Sequence, residues 1–182
     1  MSTIKVNTIE NRTGSSITIG GSSTTSLNLA STITGGTLTN TPSFSAKLSS
    51  DQTITASSYT KIQFNSEQWD TDGAYDATTN YRFTPGVAGK YRINSTVMLQ
   101  NIATAGNRIQ YAIYKNGSFF AMVGDDGPST GSGADPTLTI SVDIEFNATD
   151  YVEMWIYHNS GTGSKDISSA YSFFSGCKLI GA

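Results

Sequence analysis

FNSEQWDTDGAYDATTNYRFTPGVAGKY, from Phe64 to Tyr91, is an aromatic-rich stretch broken at Asp72-Gly73 and at Thr84-Pro85-Gly86. Gly, Pro and Asp in such pairings are turn formers. Phe64, Trp69, Tyr75, Tyr81, Phe83 and Tyr91 supply large apolar area from an otherwise polar segment. The stretch then feeds a clean alternation. Tyr91, Ile93, Val97 and Leu99 fall on one face, and Arg92, Asn94, Thr96 and Gln100 on the other. A period of two with one apolar face predicts a half-buried strand of an antiparallel sheet.

Strand patterns continue on both sides. Phe44, Ala46 and Leu48 share a face at period two, and Gln52–Phe64 reads as short strands broken at Ser57-Ser58. Arg108–Lys115 is followed by Asn116-Gly117, the strongest hairpin signal in the chain, and Phe119–Val123 is the return strand. Gly124–Pro136 is a Gly/Ser/Pro loop, and Leu138–Phe146 alternates again. Two later segments are apolar on both faces. Val152, Met154 and Ile156 alternate with Tyr151, Trp155 and Tyr157, and the closing strand carries Phe173 and Phe174 side by side. A doubly apolar strand needs a second burying surface, and a neighbouring subunit is the economical source. No useful stretch shows helical periodicity.

Several of these residues carry a resemblance. Phe64, Asp70, Tyr75, Phe83, Gly89 and Tyr91 follow in order the signature of the C1q domain, of the C1q/TNF-like superfamily. Seven residues separate Tyr75 from Phe83 where that family has six, and Ile93 and Ser95 stand where it has aromatics. Phe44–Leu48 resembles the family's first strand, Lys115-Asn116-Gly117 a common turn, Asp150-Tyr151-Val152 a strand start and Phe174-Ser175-Gly176 the C-terminal signature. The resemblance covers roughly residues 44–181. It implies an all-β, antiparallel jelly-roll sandwich that assembles as a homotrimer, with aromatic stripes near the three-fold axis. Tyr151, Trp155, Tyr157, Phe173 and Phe174 are the interface residues expected on that reading.

Residues 1–41 differ in composition. Their apolar residues come in pairs spaced by two, Ile4/Val6, Ile17/Ile19 and Leu27/Leu29, between Gly-Ser and Gly-Gly breakers. One copy could not bury enough apolar area to offset its ordering entropy. Either the segment is a disordered tail or it is ordered against copies of itself or a partner. The recurrence of apolar pairs favours the second: a strand-rich, extended stem that attaches or trimerises, with the jelly roll occupying 42–182. Ile4-Lys5-Val6 through Thr13-Gly14 is similar to the N-terminal segments of tailed-phage fibre and virion-surface proteins.

Composition narrows the function. Of 182 residues 14% are charged, against roughly 25% in typical domains, and the net charge is −3 with a pI near 5.0. The chain has no clustered Lys and Arg to read nucleic acid and no apolar run of membrane-spanning length. Cys177 is the single cysteine, so no intrachain disulfide forms. Met1–Lys5 lacks an apolar signal region, which points to synthesis in a host cytoplasm without Sec export.

Candidate sites are sparse. Gly127-Pro128-Ser129-Thr130-Gly131 matches a hydrolase elbow in letters, but it lies in a loop with no following helix. His158 is the lone histidine, and with Cys177 it cannot complete a usual zinc set. It reads as a partly exposed strand-end residue. Asp70, Asp72 and Asp76, with Asp125 and Asp126, are the candidate calcium donors, although their spacing matches no EF-hand loop. No cofactor is expected, calcium being the one candidate. Asp125, Asp126 and Ser129 are the loop residues placed to touch a receptor.

The expectation is a non-enzymatic bacteriophage structural protein at the virion surface. It would be a short tail fibre, spike or capsid-decoration trimer, joined to other virion proteins through residues 1–41. Its head would serve host attachment through a surface glycan or protein, with no nucleic acid or membrane partner. The alternative is a non-viral C1q-like secreted or cell-surface binding protein.

Overall fold

The structure is a computed structural model, and it describes residues 40–102, 108–125, 135–161 and 163–179. The stem of 1–41 lies outside the described residues except for Asn40 and Thr41. The described chain is all strand and turn, folded as two antiparallel sheets packed face to face. Among the described residues no helix is long and apolar enough to cross a membrane.

The first sheet runs β4 (Ser66–Asp70), β1 (Ser43–Lys47), β13 (Phe173–Lys178), β7 (Gly89–Gln100) and β10 (Thr137–Phe146). The short strands β12 (Lys165–Ile167) and β2 (Gln52–Ile54) extend it beyond the end of β7. The second sheet runs β5 (Tyr75–Asp76), β6 (Arg82–Phe83), β11 (Val152–His158), β8 (Ile109–Lys115) and β9 (Ser118–Asp125). In it β3 (Thr60–Lys61) also pairs with β11. Most connections carry the chain from one sheet to the other, which is the winding of a jelly roll.

The opening stretch builds the core. Phe64, Tyr75, Phe83 and Tyr91 are buried, as is Phe44 of β1. Phe44 stacks on Tyr75 at 4.7 Å and on Phe83 at 4.5 Å, and Phe83 meets Tyr91 edge-on at 5.8 Å. The remaining signature residues have backbone duties. The Asp70 carboxylate accepts from the N–H groups of Ala74 (3.0 Å) and Tyr75 (2.8 Å), so it shapes the turn that delivers Tyr75. Gly89 sits at φ +150°, and a Cβ there would come within 2.8 Å of Lys178 Cε.

β7 alternates as its sequence requires, with Tyr91, Ile93, Ser95, Val97 and Leu99 inward. It pairs with β10 over ten residues, and Leu138, Ile140, Ile144 and Phe146 join the core. Asn116 (φ 53°) and Gly117 (φ 74°) make the β8–β9 turn, the left-handed pair that a two-residue hairpin wants. Gly176 lies under the core, where a Cβ would meet Ile93 Cδ1 at 2.8 Å and Phe44 Cε1 at 3.0 Å.

One polar feature joins the layers, and a second ties β1 to β13 within the first sheet. Tyr111 of β8, fully buried, donates its hydroxyl to Ser95 Oγ of β7, and Ser95 donates on to the carbonyl of Phe173. Burial pushes the Tyr111 hydroxyl far above its ordinary range. At one end of the first sheet, Ser43 pairs with Cys177, and the Lys178 N–H donates to the Pro42 carbonyl at 3.1 Å. The chain therefore enters β1 and leaves β13 side by side.

Candidate functional site

Alternation along β11 turns Val152, Met154, Ile156 and His158 inward and Glu153, Trp155 and Tyr157 outward. The outward set does not stand alone. Tyr59, from the segment leading into β3, lies 5.3 Å from the Tyr157 ring and 6.2 Å from the Tyr114 ring. Tyr114 in turn lies 5.2 Å from Trp155 and 6.2 Å from Phe119. Beneath these rings Glu153 is buried, held by Lys61 Nζ at 2.6 Å and by the Trp155 indole N–H at 3.1 Å. The second burying surface that β11 needs is thus supplied largely by its own chain. A neighbouring subunit is not required to explain the doubly apolar pattern.

The structure divides the five expected interface residues. Trp155 and Tyr157 share the outer face of the second sheet. Tyr151 precedes that strand, where the Arg82 guanidinium sits 4.1 Å over its ring and its backbone N–H donates to Asn116 Oδ1. Phe173 faces out from the other sheet, half-buried beside Thr96. Phe174 has no exposed surface and packs between Phe44 (4.8 Å) and Tyr75 (5.8 Å). Phe174 is a core residue. Phe173 and the Trp155–Tyr157 pair look to opposite sides of the sandwich, so one axis cannot gather them all.

The outer face of the first sheet has a different chemistry. Its middle is small and neutral: Thr96 bonds Thr139 at 2.9 Å, and Ser141 donates to Asn94 at 2.7 Å. Arg92 and Asp143 form a two-pronged pair at 2.8 and 2.9 Å. On the same face Trp69 is 54% exposed beside a cavity of about 210 Å³, which Asn94, Ser175 and Cys177 also line. Large exposed apolar side chains gather again on β9, where Phe119 (55%) and Phe120 (45%) stand next to each other. A register shift between Ile113 and Tyr114 leaves Phe120 unopposed on β8. β9 ends its sheet, and among the described residues no strand pairs with its outer edge.

Of the candidate calcium donors, Asp70 and Asp76 are turned to backbone, while the Asp72 carboxylate accepts from the Thr71 hydroxyl at 3.3 Å. Asp76 accepts from the N–H groups of Thr78, Thr79 and Asn80 at 2.9–3.1 Å, and these bonds hold its carboxyl well below the usual range. Asp70 is engaged in the same way. Among the described residues no three His, Cys, Asp or Glu side chains converge on a point. Asp125 is placed only as the last residue of β9, while Asp126 and Ser129 lie outside the described residues. His158 is not strand-end exposed. It is fully buried, with Nε2 3.4 Å from the Ile54 carbonyl and the Ser160 N–H donating to Nδ1 at 3.3 Å.

A cleft of about 400 Å³ opens beside the aromatic face. The described residues lining it are Arg108, Ile109, Gln110, Met122 and Gly124. Gln110 lies opposite Tyr157 in register, and its Oε1 accepts the Tyr59 hydroxyl at 2.7 Å. Nothing in the sequence pattern joins Tyr59 to Gln110, which are 51 positions apart.

No family model matches the chain. It is 31% identical over 106 residues to uncharacterized protein YqcC of Bacillus subtilis, a stretch covering 57% of this chain and 28% of that protein. The match therefore spans less than a third of that relative's length. Among solved structures, the globular domain of zebrafish complement 1qA superposes with a TM-score of 0.55 at 19% identity, over 76% of this chain and 97% of that one. The Eiger TNF of S. frugiperda gives 0.56 at 11% identity, over 77% and 92%. Murine APRIL gives 0.56 at 11%, over 75% and 98%. The fold is that of the C1q and TNF jelly rolls.

Proposed function

We propose that the protein is a non-enzymatic structural and binding module, a homotrimeric component of a bacteriophage surface whose residues 1–41 attach it to other virion proteins. The observation that carries the trimer is β9, whose outer edge no strand among the described residues pairs, with Phe119 and Phe120 about half exposed. Such an edge is a liability unless something covers it. The matching surface is the neutral outer face of the first sheet, with Trp69 and Phe173. These are two different patches on one subunit, so the contact is head-to-tail, the kind that makes a ring when its rotation closes. Three subunits is the closure that the resemblance to C1q domains implies. About half of ~200 Å² on each of Phe119, Phe120 and Trp69, at ~25 cal/mol per Å², is about 7–8 kcal/mol before association costs.

The virion assignment rests on the likeness of residues 4–14 to tailed-phage fibre segments. Sedimentation of the purified chain tests the assembly. A trimer is expected, and Phe119→Asp with Phe120→Asp is expected to yield monomer, because each charge would be buried unpaired. A monomeric parent chain, or a trimer indifferent to the double substitution, overturns it. Immunolabelling of purified particles tests the location, and particles free of the protein refute it.

A further inference from the structure

We propose that the cleft between β8 and the end of β9 is a carbohydrate subsite that takes a pyranose ring of a surface polysaccharide. The inference gives the recognition role above a site and a ligand class, and it rests on that reading. A pyranose presents one apolar C–H face and a rim of hydroxyls. A matching site needs an aromatic wall and a few neutral or donor groups set at its edge. The Tyr59 and Tyr157 rings, 5.3 Å apart, stand next to the cleft, joined to it through Gln110, and are the surface for the C–H face, with Tyr59 the more exposed of the two. Gln110 stands at their foot, bridging rings and cleft. The Tyr59 hydroxyl occupies its amide oxygen, which orients the amide NH₂ as a donor pair for a ring hydroxyl.

The opposite rim is equally suited. Gly124 lines that side of the cleft, and Met122, 44% exposed, supplies an apolar lip that adapts to its contact. Arg108 also lines the cleft. Its backbone is fixed on both sides by Asn159, whose side-chain oxygen accepts the Arg108 N–H and whose N–H donates to the Arg108 carbonyl. A sugar hydroxyl matches the oriented Gln110 amide better than an apolar peptide would. The cleft lies at the far end of the β8–β9 hairpin from Phe119 and Phe120, so assembly and sugar binding use separate ends of one element.

The test is a printed array of defined bacterial and animal oligosaccharides probed with the full chain, followed by titration of the best ligand. We expect a saccharide ligand whose affinity falls at least tenfold in Tyr59→Ala and in Gln110→Ala. Tyr59→Phe keeps the ring and loses less than Tyr59→Ala. Tyr171→Ala, remote on the turn before β13, leaves affinity unchanged. The melting temperature and sedimentation of each variant are measured on the same samples, so loss of the trimer is read apart from loss of the ligand. Absence of any saccharide ligand, capture of protein targets alone, or binding that survives both alanine variants in folded protein overturns the proposal.

Discussion

Ser95 is a polar residue in the one inward row of β7 that is otherwise apolar, and Tyr111 explains it. Ser95→Ala leaves the Tyr111 hydroxyl buried without a partner, a cost of about 1–3 kcal/mol. Adding Tyr111→Phe to that variant removes the orphaned group and recovers part of the loss, which urea unfolding of the two variants reads directly. His158 makes a second residue-scale prediction. Burial disfavours its charged form, so its pKa lies below the ordinary value in the folded state. The folded protein then binds fewer protons than the unfolded chain. The stability tied to His158 is complete above about pH 6.5 and is lost as pH falls from there toward the folded pKa. Unfolding midpoints between pH 7.5 and 5 decline, and a His158→Gln variant shows a flatter profile. Neither role was legible from the residue types. A lone histidine before Asn159-Ser160-Gly161 is a strand end, as β11 shows, but only the Ile54 carbonyl of the first sheet makes it interior. Phe173 and Phe174 pose the same problem, since adjacent aromatics on a strand cannot say which one faces in.

At the level of elements, β7, β10 and the β8–β9 hairpin could be read from sequence because their alternation is long and their turn chemistry strong. β4, β5 and β6 could not. Ser66–Asp70 carries two polar residues and an exposed tryptophan in its centre, and β5 and β6 are two residues each. Their pairing is dictated by neighbours and by the Asp70 and Asp76 turns, not by pattern. The double face of β11 was visible, but its covering element was not, because no pattern in the sequence places Tyr59, just before β3, over Tyr157. β13 carries a sharper constraint. In Gly176→Ala the new methyl falls 2.8 Å from Ile93 Cδ1 and 3.0 Å from Phe44 Cε1. Overpacking of this kind costs about 1–3 kcal/mol. Ile93→Val removes the nearer carbon, so the double variant is expected to melt closer to the parent than Gly176→Ala does.

For the whole molecule, the proposed trimer makes stability depend on mass action. A ring that binds only folded subunits raises the unfolding midpoint as protein concentration rises. Scanning calorimetry over a hundredfold range of concentration is expected to show that rise, and the Phe119→Asp, Phe120→Asp variant is expected to lose it. The side-by-side entry to β1 and exit from β13 has a consequence of another kind. The two points lie at one end of an antiparallel ladder, Ser43 against Cys177 and onward to Lys47 against Phe173. Tension applied between them would open that ladder one rung at a time, like a zip, and each rung offers only its own resistance. Tension applied through residue 42 alone crosses no rung, because nothing draws on β13. The domain is mechanically suited to hang from a single tether and ill suited to serve as a link within a loaded cable.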